Sequence, residues 1–539
     1  MRLNKTIILN FICSFLLLFS CNKENNFSAN IDDSQSNDMY VVSSISDAIF
    51  LNPILASDSA SSSVNSYIYN GLLKYDKDLN LICDLAESYQ VLNNGLEIKF
   101  NLKKNILWHD GEPFTVKDVK FTFDRLIDPN TRTPFSSDYL MVKEFKVIDD
   151  YSFVVSYTEP FAPILESWCI GIIPEHIFKN EDINKSKYNR NPIGTGPYIF
   201  KKWVTDQKIV LEANPNYYEG VPKIKVCLFR VIPDQSVQFL ELRTQSIDEL
   251  SLTPDQWNAY DTFFTNYTKY RYPAFSFTFL GFNLEKQPYN NIKFRQAISY
   301  AIEKKDIITG VLSGMAKSAQ GIFPPQSWAY KDIEPYEYNP DKALELLLSI
   351  GFSKSQDGKL LYNGNNFEIN IITNQGNKTR ELTAQIIQEQ LKKIGIQVNV
   401  RILEWSTFLN QYVNKKNFDA LILGWNTAID PDQFSLWHSS QSGQGQYNFM
   451  SYNNKEVDTL LVKARTTFDK NKRIEYYHKI QDIMREDPPC IFLYYPENLV
   501  CVHKRFKNVE LAPAGIGWNF YQWYVDKENI KYKNAKVLV

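Results

Sequence analysis

Apolar residues along this chain fall into short runs whose spacing switches between two and roughly 3.6, so strands and amphipathic helices should alternate. The clearest case is residues 418–438, FDALILGWNTAIDPDQFSLWH. Ala420, Leu421, Ile422 and Leu423 form a continuous apolar run, the mark of a strand covered on both faces by helices, and Gly424 and Trp425 close it. Upstream, FEINIIT alternates as a strand, and RELTAQIIQEQLKKI places Leu382, Ile386, Leu391 and Ile394 at helical spacing, with Gly395 where a helix C-cap is expected. IQVNVRIL is the next strand, and Ser406 is placed to cap a helix over TFLNQYVNK. Three strands alternating with two helices predict a parallel α/β sheet.

Other stretches obey the same two periods. VNSYIYNGLL reads as a helix ending near Gly71, with Val64, Tyr67 and Ile68 on one face, and GLEIKFNL as a strand. Asp110 and Gly111 then mark a turn, and Thr115 with Asp118 three positions on forms a capping-box variant before Val116, Val119, Phe123 and Leu126 continue at helical spacing. DTLLVKARTTF and RIEYYHKIQDIM read as amphipathic cover with no distinctive chemistry. Pro488 and Pro489 end them, and CIFLYYPENLVCVH is strand-like and aromatic.

At 539 residues the chain should hold two or three domains. Its 59 basic and 61 acidic residues give a net charge of −2 without a block of one sign, so a nucleic-acid partner is not expected. Aromatic residues make up 14% of the chain, and 32 Tyr with 10 Trp exceed what a core needs, because their polar tips want water or a ligand. An aromatic-lined cleft would use them. At the amino terminus, Arg2 and Lys5 precede an apolar run over residues 6–19, which ends at Ser20 and Cys21. That is the layout of a secretory signal, too short to span a bilayer. Residues 22–38, NKENNFSANIDDSQSND, have almost no apolar content and should form a disordered tether. The five cysteines beyond Cys21 are odd in number and show no C-x-x-C spacing, so one thiol at least is unpaired and a cysteine metal site is not expected.

In an open α/β sheet ligands collect beyond the carboxyl ends of the strands, which marks Trp405, Trp425 and Asn426 as ligand-facing and Asp430 as a polar anchor. Asp430 before Pro431 is also a good helix N-cap, and the two roles are compatible. A hydrolase would use Asp430 and Asp432 as paired carboxylates, yet two acids around one proline are poorly arranged to face each other across a scissile bond. The chain has no H-E-x-x-H, no G-x-S-x-G and no nucleophile with a recognisable base, so no catalytic residue, cofactor or metal is expected. His109 and His176 have no partner motif and read as structural, as do the turn formers Gly194, Thr195, Gly196 and Pro197.

Taken together, IYNGLLKYDKDLNLICDLAESYQV, LKKNILWHDGEPFTVKDVKFTFDRL, PIGTGPYIFKKWV, LEANPNYYEGVPKI, IKFRQAISYAIEKKDII, YNPDKALELLLSIGF and FDALILGWNTAIDPDQFSLWHSS resemble, in order, the signature segments of the family 5 solute-binding proteins of oligopeptide and dipeptide ABC importers. The resemblance implies a two-lobed α/β periplasmic-binding-protein fold of type II with an extra inserted domain and a hinge. It divides the chain into a signal peptide (1–20), a lipidated Cys21 and tether (21–38), a first lobe (39–75 and 191–283) with a small inserted domain (76–190), a second lobe (284–495), and a hinge crossing with the last part of the first lobe (496–539). Residues 18–21, LFSC, resemble a lipobox. The family further implies capture of a peptide by an extracytoplasmic, lipid-anchored monomer and its delivery to permease subunits in the membrane. Sugars and nickel complexes stand as alternative solutes. Peptide-binding members carry an acid three positions after the strand-end Trp; here that position is Ala428, and Asp430 would replace it. Dipeptide binders hold the ligand carboxylate with an Arg near the tip of the preceding strand; here Asn374 stands there, which favours a longer peptide.

Overall fold

The computed structural model describes residues 38–259 and 262–532. The signal-like segment, Cys21 and all of the tether but Asp38 lie outside the described residues. Asp38 itself belongs to the fold rather than to a tether, since its buried carboxylate pairs with Arg505 and caps the backbone N–H of Met39.

A single long strand, Cys490–His503, links the two lobes. Its first half pairs antiparallel with Ser276–Phe282, which in turn pairs with the second-lobe strand Ala420–Asn426, and its second half pairs with Glu249–Ser251 and Tyr267–Pro273 of the first lobe. The sheets of both lobes are therefore continuous. Across it the order is Gln397–Leu403, Glu368–Asn374, Ala420–Asn426, Ser276–Phe282, the hinge strand, Glu249–Ser251, Met39–Ser44, Val226–Val231, Lys208–Ala213 and Tyr198–Val204. A shared strand keeps the lobes in register while allowing them to pivot about its middle, the usual arrangement of a hinge.

In the second lobe the three strands read from the sequence are parallel as expected. The sheet as a whole is mixed, because Ser276–Phe282 runs antiparallel to Ala420–Asn426. The apolar run at Ala420 does not stop at Gly424: the ladder continues to Asn426, paired with Ser276, since the antiparallel neighbour supplies partners that the run itself does not advertise. Two cores pack its faces. One holds Ile298, Ile371, Ile387, Leu391 and Ile422, the other Phe277, Leu421, Leu461, Tyr477 and Ile480. The helix Lys378–Lys393 ends at Ile394, and Gly395 takes the left-handed conformation at φ +92° that a C-terminal glycine supplies. Downstream, the helix starting at Trp405 is capped by Glu404, not Ser406: the Glu404 carboxylate accepts from the N–H groups of Ser406 and Thr407, and the longer side chain reaches both.

The small domain is a four-stranded antiparallel sheet, Ala86–Leu92, Glu97–Leu102, Ser152–Tyr157 and Val142–Asp149, packed by the helix Val116–Ile127 with the expected Thr115/Asp118 capping box. Its core is not separate: Phe100, Phe153 and Trp168 belong to the same buried cluster as Tyr40, Ile68 and Tyr198 of the first lobe. The seam is sewn by His109, whose Nδ1 accepts from the Gly194 N–H and whose Nε2–H donates to the Gly196 carbonyl at 3.0 Å. That pair of bonds fixes the neutral tautomer, and burial pushes the imidazole pKa down to about 4. Gly194 is required there, because a Cβ would lie 1.9 Å from the Ile68 carbonyl at the end of the helix Ser59–Ile68. The Gly-Thr-Gly-Pro run is thus a packing element.

Candidate functional site

The parallel strands of the second lobe bring four of the residues singled out above to one edge. Asn374 closes Glu368–Asn374, Trp405 follows Gln397–Leu403, and Trp425 and Asn426 close Ala420–Asn426. Trp425 lies against Tyr447 and Phe449, with ring centroids at 5.1 and 5.7 Å, while Trp405 stacks on Phe408. Both indole nitrogens are buried and without a hydrogen-bond acceptor among the described residues. A buried N–H left in this state costs about 1 to 3 kcal/mol unless something answers it, so both are candidates for a solute's oxygens. Trp405 also approaches Asp58, the N-cap of the first-lobe helix Ser59–Ile68, without reaching hydrogen-bond geometry. Asn426 is exposed at the strand end.

Asn374 does not face the edge alone. Arg380, in the first turn of the helix Lys378–Lys393, folds back and donates from Nη1 to Asn374 Oδ1 at 2.8 Å. Its other nitrogen, Nη2, lies over Gly424, where a Cβ would sit 3.0 Å away, so glycine at that point of the strand makes room for the guanidinium. No carboxylate pairs with Arg380 among the described residues, and burial holds its pKa below the usual arginine value. The strand tip itself carries Asn374, and the arginine beside it is delivered from the helix six residues later.

Asp430 and Asp432 differ from expectation. The short helix that follows is Phe434–Trp437, and its N-cap position is Gln433; Asp430 does not reach the helix, while the Asp432 carboxylate accepts from the Phe434 N–H at 3.4 Å. Asp430 is buried and held bidentately by Arg473, at 2.8 Å from Nη1 and 2.6 Å from Nη2, and it also accepts from the Asp432 N–H. Asp432 accepts from Arg465 at 2.5 Å. Arg465 and Arg473 come from the helices Lys455–Arg465 and Lys470–Glu486, whose amphipathic pattern predicts only cover. Both carboxylates are thus engaged by arginines of their own lobe, and Asp430 takes its counter-charge from Arg473. The correction has a plain cause: a buried carboxylate needs a counter-charge, and this chain supplies two from its own helices.

Arg465 also closes the cleft. Its Nη2 reaches Asp138 of the small domain at 2.8 Å, Nη1 donates to the Ser137 carbonyl at 3.4 Å, and the guanidinium lies over Phe434 and Phe161. Nearby, Phe135 of the small domain meets Tyr447 edge to face. At the opposite end the Lys378 N–H donates to Gln235 of the first lobe. The lobes are thus in contact at both ends of the cleft. On the first-lobe side lies a cavity of about 810 Å³, whose walls include Asn65, Asn70, Lys74, Glu166, Tyr217 and Tyr521. None of the five ligand-facing residues expected from the sequence lines it.

Among the described residues no helix is long and apolar enough to cross a membrane, and Cys83, Cys169, Cys227, Cys490 and Cys501 are all free thiols.

Comparison with known proteins fits this geometry. Residues 80–447 match the model of the bacterial extracellular solute-binding proteins, family 5 (middle). The oligopeptide-binding protein AppA of Bacillus subtilis (strain 168) is 33% identical over 536 residues, covering 96% of this chain and 98% of that protein. The structure of the Bacillus subtilis AppA in complex with a nonapeptide superposes with a TM-score of 0.88 at 32% identity, over 92% of this chain and 100% of that one. DppA from Helicobacter pylori in complex with the peptide STSA has a TM-score of 0.83 at 26% identity, over 92% and 99% of the two chains. NikZ from Campylobacter jejuni in complex with Ni(L-His) has a TM-score of 0.82 at 29% identity, over 90% and 99%. The chain belongs to the bacterial extracellular solute-binding proteins of family 5.

Proposed function

We propose that this protein captures peptides, oligopeptides rather than dipeptides, in the cleft between its lobes and hands them unaltered to a membrane permease of an ABC importer. The observation that carries the reading is the set of unspent polar groups on the second-lobe edge. Among the described residues Arg380 has no acid, and the Trp405 and Trp425 N–H groups have no acceptor in hydrogen-bond geometry. A ligand carboxylate would pair with Arg380, and peptide carbonyls would accept from the two indoles. Closure then follows from contacts that exist only when the lobes meet, such as Arg465 with Asp138. The AppA and DppA structures named above hold peptides, which supports the same solute class here. Anchorage through a lipid on Cys21, outside the cytoplasmic membrane, completes the proposal; it rests on the signal-like layout of residues 1–21.

Native mass spectrometry of gently purified protein tests this reading. A mixture of added masses that dissociates into peptides is expected, and after denaturation the chain should keep an acyl mass at Cys21. Added mass corresponding to a sugar or a metal complex, or turnover of labelled peptides in proportion to protein, would overturn it.

A further inference from the structure

The cavity on the first-lobe side has a charge imbalance that points to part of the solute. Four carboxylates line it, Asp84, Asp138, Glu166 and Glu219, against one lysine, Lys74. Lys74 lies between two of them, 2.6 Å from Glu219 and 3.2 Å from Asp84. Asp84 is further bound by Asn70 at 2.9 Å and by the Tyr218 hydroxyl. Asp138 is answered by Arg465 from across the cleft. Glu166 remains: it forms no ion pair and accepts no hydrogen bond from another residue among the described residues. It stands in the short turn Glu166–Cys169, within electrostatic reach of Asp430 and Arg473.

A second observation is independent of the acids. Asn65 lines the same cavity, is 5% exposed, and its Oδ1 is buried with no hydrogen-bond donor among the described residues. It is an acceptor waiting for an N–H. Around both lie the rings of Tyr69, Tyr217, Trp518 and Tyr521, whose faces attract cations. An unanswered carboxylate, an unanswered carbonyl oxygen and aromatic faces share one complement, a nitrogen that carries positive charge and protons to donate.

We propose that the cavity receives a cationic nitrogen of the bound solute, with Glu166 as its counter-charge, an inference that rests on the reading of this chain as a peptide-binding protein. The nitrogen is either the peptide's amino terminus or a basic side chain. In the free protein, burial and then the charge of Asp430 push the Glu166 carboxyl up to about 7, the behaviour of an acid whose partner arrives with the ligand.

The test is calorimetric titration of the wild-type protein and of Glu166→Gln with an alanine pentapeptide. A single lysine, or norleucine in its place, is set at each position in turn, and the amino end is free or acetylated. On the wild-type protein, neutralising one of the two nitrogens should weaken binding by about 10- to 100-fold, the range for losing a hydrogen bond to a charged group. Acetylation as the costly change identifies the amino terminus, and norleucine identifies a side chain. In Glu166→Gln the same change should cost little. Equal affinity for charged and neutral peptides, or a penalty that survives in Glu166→Gln, would overturn the inference while leaving peptide binding intact. Absence of binding by every peptide of the series would overturn the peptide reading and the inference with it. The peptide series on the wild-type protein is decisive without the variant, should Glu166→Gln not fold.

Discussion

Acidic side chains stand on both sides of the cleft, and they are in opposite conditions. On the second lobe Asp430 and Asp432 are each bound by an arginine of the same lobe, at 2.6 and 2.5 Å. On the small-domain side Glu166 has no such partner among the described residues. Residue type is the same, and role is decided by whether the chain itself supplies the counter-charge. A buried carboxylate with its own arginine adds little net stability, yet it cannot lose that arginine without stranding a charge in a dry site. One without a partner is costly to hold and is therefore free to be answered by a ligand. The same contrast applies to cations: Arg465 and Arg473 are spent on aspartates, whereas Arg380 is left with one amide oxygen.

The contrast breaks first at Asp430. Asp430→Asn leaves Arg473 buried with half its partner removed, and unfolding in denaturant should show a loss of about 3 to 5 kcal/mol, the range for breaking a buried ion pair from one side. Should stability hold while peptide affinity collapses, Asp430 would be a ligand anchor after all. A smaller effect is expected at Asp138, whose side chain is 32% exposed and whose pairing with Arg465 joins the lobes. Asp138→Asn should change unfolding less than Asp430→Asn does, because the buried Arg465 keeps Asp432 as its partner, and should show instead as faster peptide release in stopped-flow fluorescence. Unchanged release rates would mean that Arg465 holds Asp432 only and does not latch the cleft.

Much of the fold was legible because periodicity reports burial directly. The alternation in FEINIIT, the helical spacing through Leu391 and the glycine at 395 led to the right elements, and the aromatic stretch ending at His503 proved to be the hinge strand. What pattern cannot see is a partner distant in sequence. Ser276–Phe282 converts the parallel sheet to a mixed one from more than a hundred positions away. The site was less legible for the same reason. Trp405, Trp425, Asn426 and Asn374 reach one edge because strand ends can be read, whereas the amphipathic pattern around Arg465 and Arg473 predicts cover and does not name their partners. Arg380 had one visible signal, its place in the first turn of a helix, where a basic residue faces the positive end of the dipole and gains nothing locally. Glu166 lies in an irregular turn that offers no period at all.

The central claim is that the unspent charges, not the paired ones, hold the solute, and Arg380 tests it most directly. Calorimetry should compare a pentapeptide with a free carboxyl end and its amide, on the wild-type protein and on Arg380→Gln. The account expects the wild-type protein to prefer the free acid by about 10- to 100-fold and Arg380→Gln to bind both alike. A wild-type protein indifferent to amidation, or a preference that persists in Arg380→Gln, would contradict it.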